Sequence, residues 1–168
     1  MIGVSKHLCG AATDLALRSL ATFSTNPGCK IQTILIALCC HHRCDWNIYV
    51  AKDYLLERHF KPEEFSLLCG LSSWATCGTG KPRNLDKKEG STEEKSTVVD
   101  DKFVDRYDRL NLSRERREEI GRKTKRILDM GRCHYIKETI GIANVKLAFY
   151  VDANFTLENV LLLAHIAK

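Results

Sequence analysis

Two short segments of the chain combine residue types that could do chemistry. The first contains Lys6-His7-Leu8-Cys9-Gly10 followed by Thr13-Asp14. The second is Cys39-Cys40-His41-His42-Arg43-Cys44. Histidine and cysteine side chains titrate near neutral pH when their neighbours tune them, so either segment could supply a general base or a nucleophile.

Three interpretations of the second segment compete. A zinc site needs four soft ligands in a tetrahedral array, but adjacent Cys-Cys-His-His residues cannot easily all reach one ion, and the usual pair spacing is missing. We therefore assign no metal ligand. The second interpretation is a catalytic cysteine or histidine. The third is structural, with Cys39 and Cys40 as core thiols and His41 and His42 hydrogen-bonding a turn.

Both segments follow predicted strands. Residues 2–8 are partly apolar, and Gly10 allows a sharp turn before a helical pattern over residues 13–21. Residues 31–38 (IQTILIAL) are almost continuously apolar, which is typical of a strand covered on both faces in a parallel sheet. Ligands bind at the C-terminal ends of such strands, where both segments fall.

The remaining pattern completes an α/β fold, for which a doubly wound sheet with closing antiparallel strands is the best architecture. Ser113 is a suitable N-cap for a long helix, and Gly131 is its expected end. Residues 156–167 could alternatively be helical, because periodicity does not distinguish the two. The predicted elements are a helix over 45–59 with Asp45 as N-cap, a strand over 65–71, helices over 113–130 and 132–139, and strands over 145–151 and 159–166.

We divide this single domain into three parts. Residues 1–78 form the first part of the core, and residues 104–168 contribute the long helix and the closing strands. Residues 79–103 are rich in Gly, Pro, Ser, Thr and both charges, which is typical of a mobile loop or insertion. The Gly78-Thr79-Gly80-Lys81 run falls short of a phosphate-binding loop, so we expect no nucleotide there.

Composition narrows the class of protein. The 168 residues are 44% hydrophobic and 28% charged, which is ordinary globular usage. No apolar run approaches a membrane span and no signal peptide is visible, so we expect a soluble, intracellular protein that is not secreted and does not contact a membrane. The eight cysteines are then reduced thiols rather than disulfides.

The positive charge is concentrated on one predicted helix. The net charge is +5, and residues 114–126 carry seven basic residues against three acidic ones. Such a helix suits a polyanionic partner, although a solvated helix face would look the same from charge alone.

Taken together, these segments resemble a known family. The Lys6–Gly10 segment with Thr13–Leu17, the Ala37–Cys44 segment, Ser72-Ser73-Trp74-Ala75-Thr76-Cys77-Gly78 and Leu157-Glu158-Asn159-Val160-Leu161-Leu162 are similar to the eukaryotic tRNA methyltransferases that modify the ribose at position four of the acceptor stem. The similar blocks occur in order across nearly the whole chain.

This resemblance implies a class I, Rossmann-like methyltransferase that moves a methyl group from S-adenosylmethionine to a ribose 2′-hydroxyl of tRNA. The family also carries zinc-finger modules ahead of its catalytic domain, and none is visible here. The first strand of that fold, with the Gly-rich turn that holds the cofactor, is missing as well. We therefore expect the C-terminal half of the fold, from a fragment, a truncated gene model or a short isoform that is inactive alone.

The resemblance also suggests residue roles. Lys6, His7 and Asp14 would lie beside the cofactor and the target hydroxyl, with His7 as the base and Lys6 lowering the hydroxyl pKa. Cys9 and Gly10 would contact the cofactor. The expected tRNA contacts are His41, His42 and Arg43 to ribose or phosphate, Trp74 as a stacking or core residue, and Arg116, Arg117 and Lys123 to phosphates. The alternative function is a non-catalytic zinc- or RNA-binding module.

Overall fold

A four-stranded open sheet with helices packed against it forms the structure. The computed structural model describes residues 1–77 and 110–166. Its strands are β1 (Ile2–Lys6), β2 (Thr33–Ala37), β3 (Asn144–Phe149) and β4 (Val160–His165), and its α-helices are α1 (Ala11–Ser24), α2 (Lys52–Leu56), α3 (Phe65–Ser72), α4 (Trp74–Cys77) and α5 (Arg114–Tyr135). Short 3-10 turns at His41–Arg43 and Pro62–Glu64 and a π-helical turn at Ile136–Ile140 complete the fold.

The strand order is β1-β2-β4-β3, with β1 and β2 parallel and β4 antiparallel to both of its neighbours. Lys6 pairs with Ala37 at the ends of β1 and β2, and Ala37 pairs with Leu161. Phe149 at the end of β3 pairs with Val160 at the start of β4. The ends of β1, β2 and β3 and the start of β4 therefore lie at the same edge of the sheet, here called the carboxyl edge.

The main core lies between the sheet, α1 and the C-terminal part of α5. Ile34 and Ile36 are buried on one face of β2, whereas Leu35 on the other face is only partly buried. The prediction of a strand covered on both faces is therefore confirmed for one face only. Each fully buried aliphatic side chain contributes about 1.5–3 kcal/mol from removing apolar surface from water. The other buried members of this core are Leu17, Ile31, Leu38, Cys133, Ile136, Ile142, Leu162 and Ala164.

A second core joins α2 and α3 to the middle of α5. Phe65 lies at its centre, with ring centroids 5.3 Å from Trp46 and 5.1 Å from Tyr49. Gly131 of α5 allows this close packing, because a Cβ atom there would lie 2.2 Å from the hydroxyl oxygen of Tyr49. The prediction that Gly131 ends α5 is wrong. The helix continues to Tyr135, and Gly131 lies in its interior, where it makes room for Tyr49.

Several predicted elements are confirmed. Ser113 caps α5, where its hydroxyl oxygen accepts a hydrogen bond from the amide of Arg116 at 3.2 Å. The predicted closing pair is the antiparallel pair β3 and β4, which excludes the helical alternative for residues 156–166. The mixed α/β class is therefore confirmed, with its closing antiparallel strands.

The predicted strand over residues 65–71 is wrong. Phe65, Leu68, Cys69 and Ser72 are buried while Leu67 is exposed, which is the i, i+3, i+4, i+7 pattern of an amphipathic helix. Residues 65, 67, 69 and 71 are apolar and alternate in the sequence, which favoured a strand. Leu68 does not fit that alternation, and its burial belongs to the helical pattern.

The predicted helix over residues 45–59 is mostly wrong. The carboxylate of Asp45 accepts a hydrogen bond from the amide of Asn47 at 2.7 Å, so it closes a turn rather than capping a helix. Only Lys52–Leu56 is helical. The second helix expected from residue 132 is instead the continuation of α5, which runs into the π-helical turn and ends at Gly141 with φ 82°.

The loop or insertion expected over residues 79–103, and the Gly78–Lys81 run, lie outside the described residues. Within 1–77 and 110–166, every helix is too short or too polar to cross a membrane.

Candidate functional site

The carboxyl edge brings the two chemically interesting segments together. The amide of Gly10 donates to the carbonyl oxygen of Cys39 at 3.5 Å, and the thiol sulfurs of Cys9 and Cys39 are 3.3 Å apart. The prediction that both segments lie at the ends of adjacent parallel strands is confirmed by the pairing of β1 with β2.

Three residues at this edge have positive φ angles. His7 has φ 60°, Gly10 has φ 55° and Cys40 has φ 47°. A Cβ atom on Gly10 would lie 2.3 Å from the carbonyl carbon of Arg43, so only glycine lets the two segments approach this closely. Non-glycine residues in this conformation are uncommon and concentrate where the surrounding structure holds them for function.

A buried arginine of α5 supports the first segment from below. Arg132 and Asp14 are both 0% exposed, and the guanidinium donates to the two carboxylate oxygens at 2.8 and 3.1 Å. Arg132 also donates to the carbonyl oxygen of Gly10 at 3.2 Å. Burial opposes the charge on Arg132, but Asp14, Cys44 and Asp129 together hold its pKa well above the ordinary range.

The second segment is anchored to the same helix. His41 is buried, and its Nε2 atom lies 2.7 Å from Asp129 Oδ1. Asp129 also accepts a hydrogen bond from Arg132 at 3.2 Å. Burial favours the neutral carboxyl group, but His41 and Arg132 hold the pKa of Asp129 below its usual value. Asp129 is thus an ionised carboxylate shared by His41 and Arg132.

The structure separates the predicted site residues by exposure. Lys6, His7, His42 and Arg43 are exposed at the carboxyl edge, where a ligand can reach them. Cys9 is partly buried beside them.

Other predicted contact residues lie in the interior. Asp14 and His41 are sealed in ion pairs, so a direct contact of either with substrate is not supported. Trp74 is buried, which favours core packing over base stacking. A Cβ atom on Gly10 would meet the backbone of Arg43, and the amide and carbonyl groups of Gly10 are hydrogen-bonded within the fold, so its contact with a cofactor stays a prediction. Arg117 is buried, which does not agree with a phosphate contact.

The basic helix exposes cations that are partly compensated by its own carboxylates. Arg116 and Lys123 are exposed, and both pair with Glu119, at 2.6 and 2.7 Å. Arg122 lies 3.7 Å from Glu118. These pairs are solvent-exposed and contribute little to stability, so the cations could exchange a carboxylate for a phosphate at small cost.

Sequence reasoning missed a cavity of about 400 Å³ between α5 and the β3–β4 connection. The guanidinium of Arg126 lies 5.8 Å from the ring centroid of Phe149, whose side chain is 68% exposed. Lys125, also in the wall, pairs with Glu158. Asp129 lines the cavity floor and connects it to His41. The other lining residues are Ala75, Arg122, Val151, Asp152, Ala153, Leu157, Asn159 and Val160.

The sequence offered only a weak signal for this cavity. The basic run over 114–126 marked one wall, but nothing in the sequence between the two predicted closing strands indicated the other wall. Phe149 becomes recognisable only when the register places it opposite Val160, at the same edge as Lys6 and Ala37.

A cavity lined by basic residues and exposed basic and imidazole groups, all at the carboxyl edge of a partly parallel sheet, are typical of α/β enzymes. The family model described as Methyltransferase TRM13 matches residues 1–165. The chain therefore belongs to the TRM13 methyltransferase family.

Individual relatives agree with this assignment. The chain is 36% identical to the "tRNA:m(4)X modification enzyme TRM13 homolog" of Dictyostelium discoideum, over 96% of its own length and 33% of that protein. It is 35% identical to the "tRNA:m(4)X modification enzyme TRM13" of Saccharomyces cerevisiae, over 96% of the chain and 36% of the relative. The human homologue is 34% identical over 98% of the chain and 44% of the relative.

The chain thus spans between a third and a half of the length of these relatives. No solved structure matches it.

Proposed function

We propose that this chain is part of a methyltransferase that transfers a methyl group from S-adenosylmethionine to a ribose 2′-hydroxyl of tRNA. The observation that carries the proposal is the carboxyl edge itself. This edge combines exposed Lys6 and His7 with a cavity lined by basic residues. The chain also belongs to a family whose members are named as tRNA modification enzymes.

The fold supports a Rossmann-like arrangement that continues past β1. This strand lies at one end of the sheet, and its Ile2 and Val4 side chains are 60% and 71% exposed. Apolar residues two apart on one strand share a face, and a solvated face rarely carries them. We propose that further segments of a longer protein cover this face of β1, extend the sheet beyond this edge strand and supply the cofactor site.

The described residues do not fit the methyl donor as a complete site. Of the two residues predicted to contact it, Gly10 has its amide and carbonyl groups hydrogen-bonded within the fold, and Cys9 is partly buried. We therefore assign the donor's contacts to parts of the protein outside these residues, and we derive only what the carboxyl edge offers to the ribose.

His7 is the proposed general base. Its imidazole is exposed at the end of β1, and histidine is the side chain whose ordinary pKa lies closest to neutral pH. A base within hydrogen-bond reach of the 2′-hydroxyl would accept its proton, which contributes roughly 10²–10⁴-fold to the rate of such reactions. Lys6 would stabilise negative charge developing on the same oxygen.

The basic face of α5 and the edge cavity are the proposed tRNA contacts. Arg122 and Arg126 would bind phosphates, and the exposed ring of Phe149 offers a surface on which a base can stack. Arg116 and Lys123 extend this surface along the helix. His42 and Arg43 lie across the edge, where they would hold a ribose or a phosphate.

The function is tested by methyl transfer from labelled S-adenosylmethionine to transcribed tRNA, with nucleoside mass spectrometry to distinguish 2′-O-methyl ribose from base methylation. The assay uses the chain alone and the chain fused to the remaining part of the yeast relative. We expect 2′-O-methylation by the fusion and none by the chain alone. Methylation of a base, or tRNA binding without methylation by the fusion, would contradict the proposal.

A matched pair of histidine variants tests the base. His7 and His59 are both exposed and both have positive φ, 60° and 65°, which asparagine tolerates. In the fusion, His7→Asn should lower the turnover rate by roughly 10²-fold or more while tRNA affinity stays unchanged. His59→Asn should leave both unchanged. Equal effects of the two substitutions would exclude His7 as the base.

A further inference from the structure

Three cysteine thiols, one from the first segment and two from the second, converge at the carboxyl edge. The sulfur atoms of Cys9, Cys39 and Cys40, here called the thiol cluster, all lie within 4.8 Å of one another. Cys9 and Cys39 form a hydrogen bond between their sulfurs at 3.3 Å. The convergence joins the two segments that sequence reasoning had treated separately.

The backbone explains how two adjacent cysteines can face the same partner. Consecutive side chains of an extended strand point to opposite faces, so Cys39 and Cys40 in a regular strand would diverge. β2 ends at Ala37, and Cys40 has the left-handed values φ 47° and ψ 47°. This turn brings both sulfurs towards Cys9, in a conformation that a β-carbon disfavours.

Three nearby side chains that could bind a metal have partners elsewhere in the fold. His41 is buried against Asp129, and Cys44 accepts a hydrogen bond from Arg132 at 3.1 Å. The Cys69 thiol donates to the Cys44 carbonyl oxygen at 3.7 Å. These side chains have partners within the fold, whereas the thiol cluster has mainly its own members.

We propose that Cys9, Cys39 and Cys40 bind a thiophilic metal ion, with zinc as the probe of choice. Zinc–thiolate bonds of about 2.3 Å place three sulfurs around one ion about 3.8–4.0 Å apart. The sulfur atoms of Cys9 and Cys39 are 3.3 Å apart and no separation in the cluster exceeds 4.8 Å, so the cluster is close to this spacing. Three protein ligands leave the fourth position of a tetrahedral ion open to water or to another ligand.

Burial and mutual contact disfavour the thiolate forms of Cys39 and Cys40. Burial, and then the contact with Cys9, raise the pKa of Cys39 to about 12. The contact with Cys9, and then burial, raise the pKa of Cys40. A thiolate is the form that binds metal, so a bound cation would displace protons from the cluster.

The first test is zinc titration of the reduced 168-residue chain in competition with a chromophoric chelator, without tRNA or methyl donor. We expect one equivalent to bind and X-ray absorption to show three sulfur ligands at about 2.3 Å. Cys9→Ser, Cys39→Ser and Cys40→Ser should each weaken binding at least tenfold. Cys29→Ser, a cysteine outside the cluster, should not.

The second test needs no variant and so does not depend on how the substitutions fold. Zinc should slow the alkylation of Cys9 and Cys40 by iodoacetamide, read by peptide mass spectrometry, while Cys29 reacts at an unchanged rate. Zinc that protects Cys44 and Cys69 instead, or that binds Cys9→Ser as tightly as the original chain, would overturn the proposal. Absence of binding at micromolar zinc would overturn it as well. None of these results bears on the methyltransferase proposal, which is tested separately by the methyl-transfer assay.

Discussion

Each of the two segments at the carboxyl edge divides into a buried half, which anchors it to α5, and an exposed half, which a ligand can contact. In the first segment, Asp14 is sealed against Arg132 while His7 remains exposed. In the second, His41 is buried on Asp129 while the adjacent His42 is exposed. Residues of the same chemical type therefore serve as anchors or as contacts, depending on which side of the edge they occupy.

The buried half is an electrostatic network centred on Arg132. Taking ions out of water is costly, and a buried pair compensates for this only when the geometry and the hydrogen bonds are good. The bidentate contact with Asp14 and the second contact with Asp129 meet that condition. The exposed half lacks such partners within the sheet, so it can meet a ligand without breaking the fold.

Replacing Arg132 should give the largest effect on stability. Arg132→Met leaves Asp14 as a buried carboxylate without its cation and leaves Asp129 with His41 alone, and we expect a loss of about 3–5 kcal/mol in the free energy of unfolding. The loss is measured by urea denaturation. Arg122→Met, which removes an exposed arginine from the same helix, should change stability by less than about 0.5 kcal/mol. Similar losses in the two variants would remove the distinction between anchor and contact.

The next largest effect concerns the close approach of the two segments. Gly10→Ala places a Cβ atom 2.3 Å from the Arg43 backbone in addition to the strain of φ 55°. Gly28 has φ 80° with nothing within 4 Å of the added atom, so Gly28→Ala carries the strain alone. We expect a cost of about 1–2 kcal/mol at Gly28 and clearly more at Gly10. Equal thermal shifts would mean that the contact with Arg43 relaxes freely.

A smaller effect is the acid sensitivity that Asp129 gives to the fold. Its pKa is depressed in the folded state, so its contribution to stability is present above the unfolded pKa of about 3.9 and is lost as pH falls through the folded value. Asp129→Asn should lower stability at pH 7 and flatten the decline between about pH 5 and pH 2. Unfolding measured across this range checks the slope. Glu119→Gln, at an exposed site, should leave the pH 7 stability nearly unchanged.

The sequence predicted the positions of the segments better than the division of work within them. Strands β1 and β2, the Ser113 cap and the closing pair depend on local patterns, and these are confirmed. The pairing of Arg132 with Asp14 joins residues 118 apart in sequence, and the Cys9–Cys39 contact joins residues 30 apart. No local pattern encodes such partners.

The same limit explains why the sequence did not separate buried from exposed site candidates. His41 and His42 are chemically identical in the sequence, and only the 3-10 turn at His41–Arg43 decides which imidazole faces α5. Arg117 and Arg116 are likewise adjacent on a basic helix, yet the first is buried and the second exposed. The charge content correctly predicted that α5 carries exposed cations, but the orientation of the helix determines which of its cations are exposed.

The exposed half should show the opposite behaviour, with an effect on RNA binding and almost none on stability. Phe149→Ala removes the ring beside Arg126 at the cavity, and we expect tRNA affinity to fall by about 1–3 kcal/mol if a base stacks there. Fluorescence anisotropy with a labelled acceptor stem measures the affinity. Phe155→Ala is the matched control, because that ring is 82% exposed in the same connection but does not line the cavity.

Arg126→Gln refines the same comparison, because it should weaken binding across sequences and reduce the slope of log affinity against log salt by about one. Unchanged affinity in both Phe149→Ala and Arg126→Gln would move the RNA surface away from the cavity. A fall in stability matching the fall in affinity would place Phe149 in the buried half instead, because only residues outside the packed network can lose a side chain without disturbing the fold.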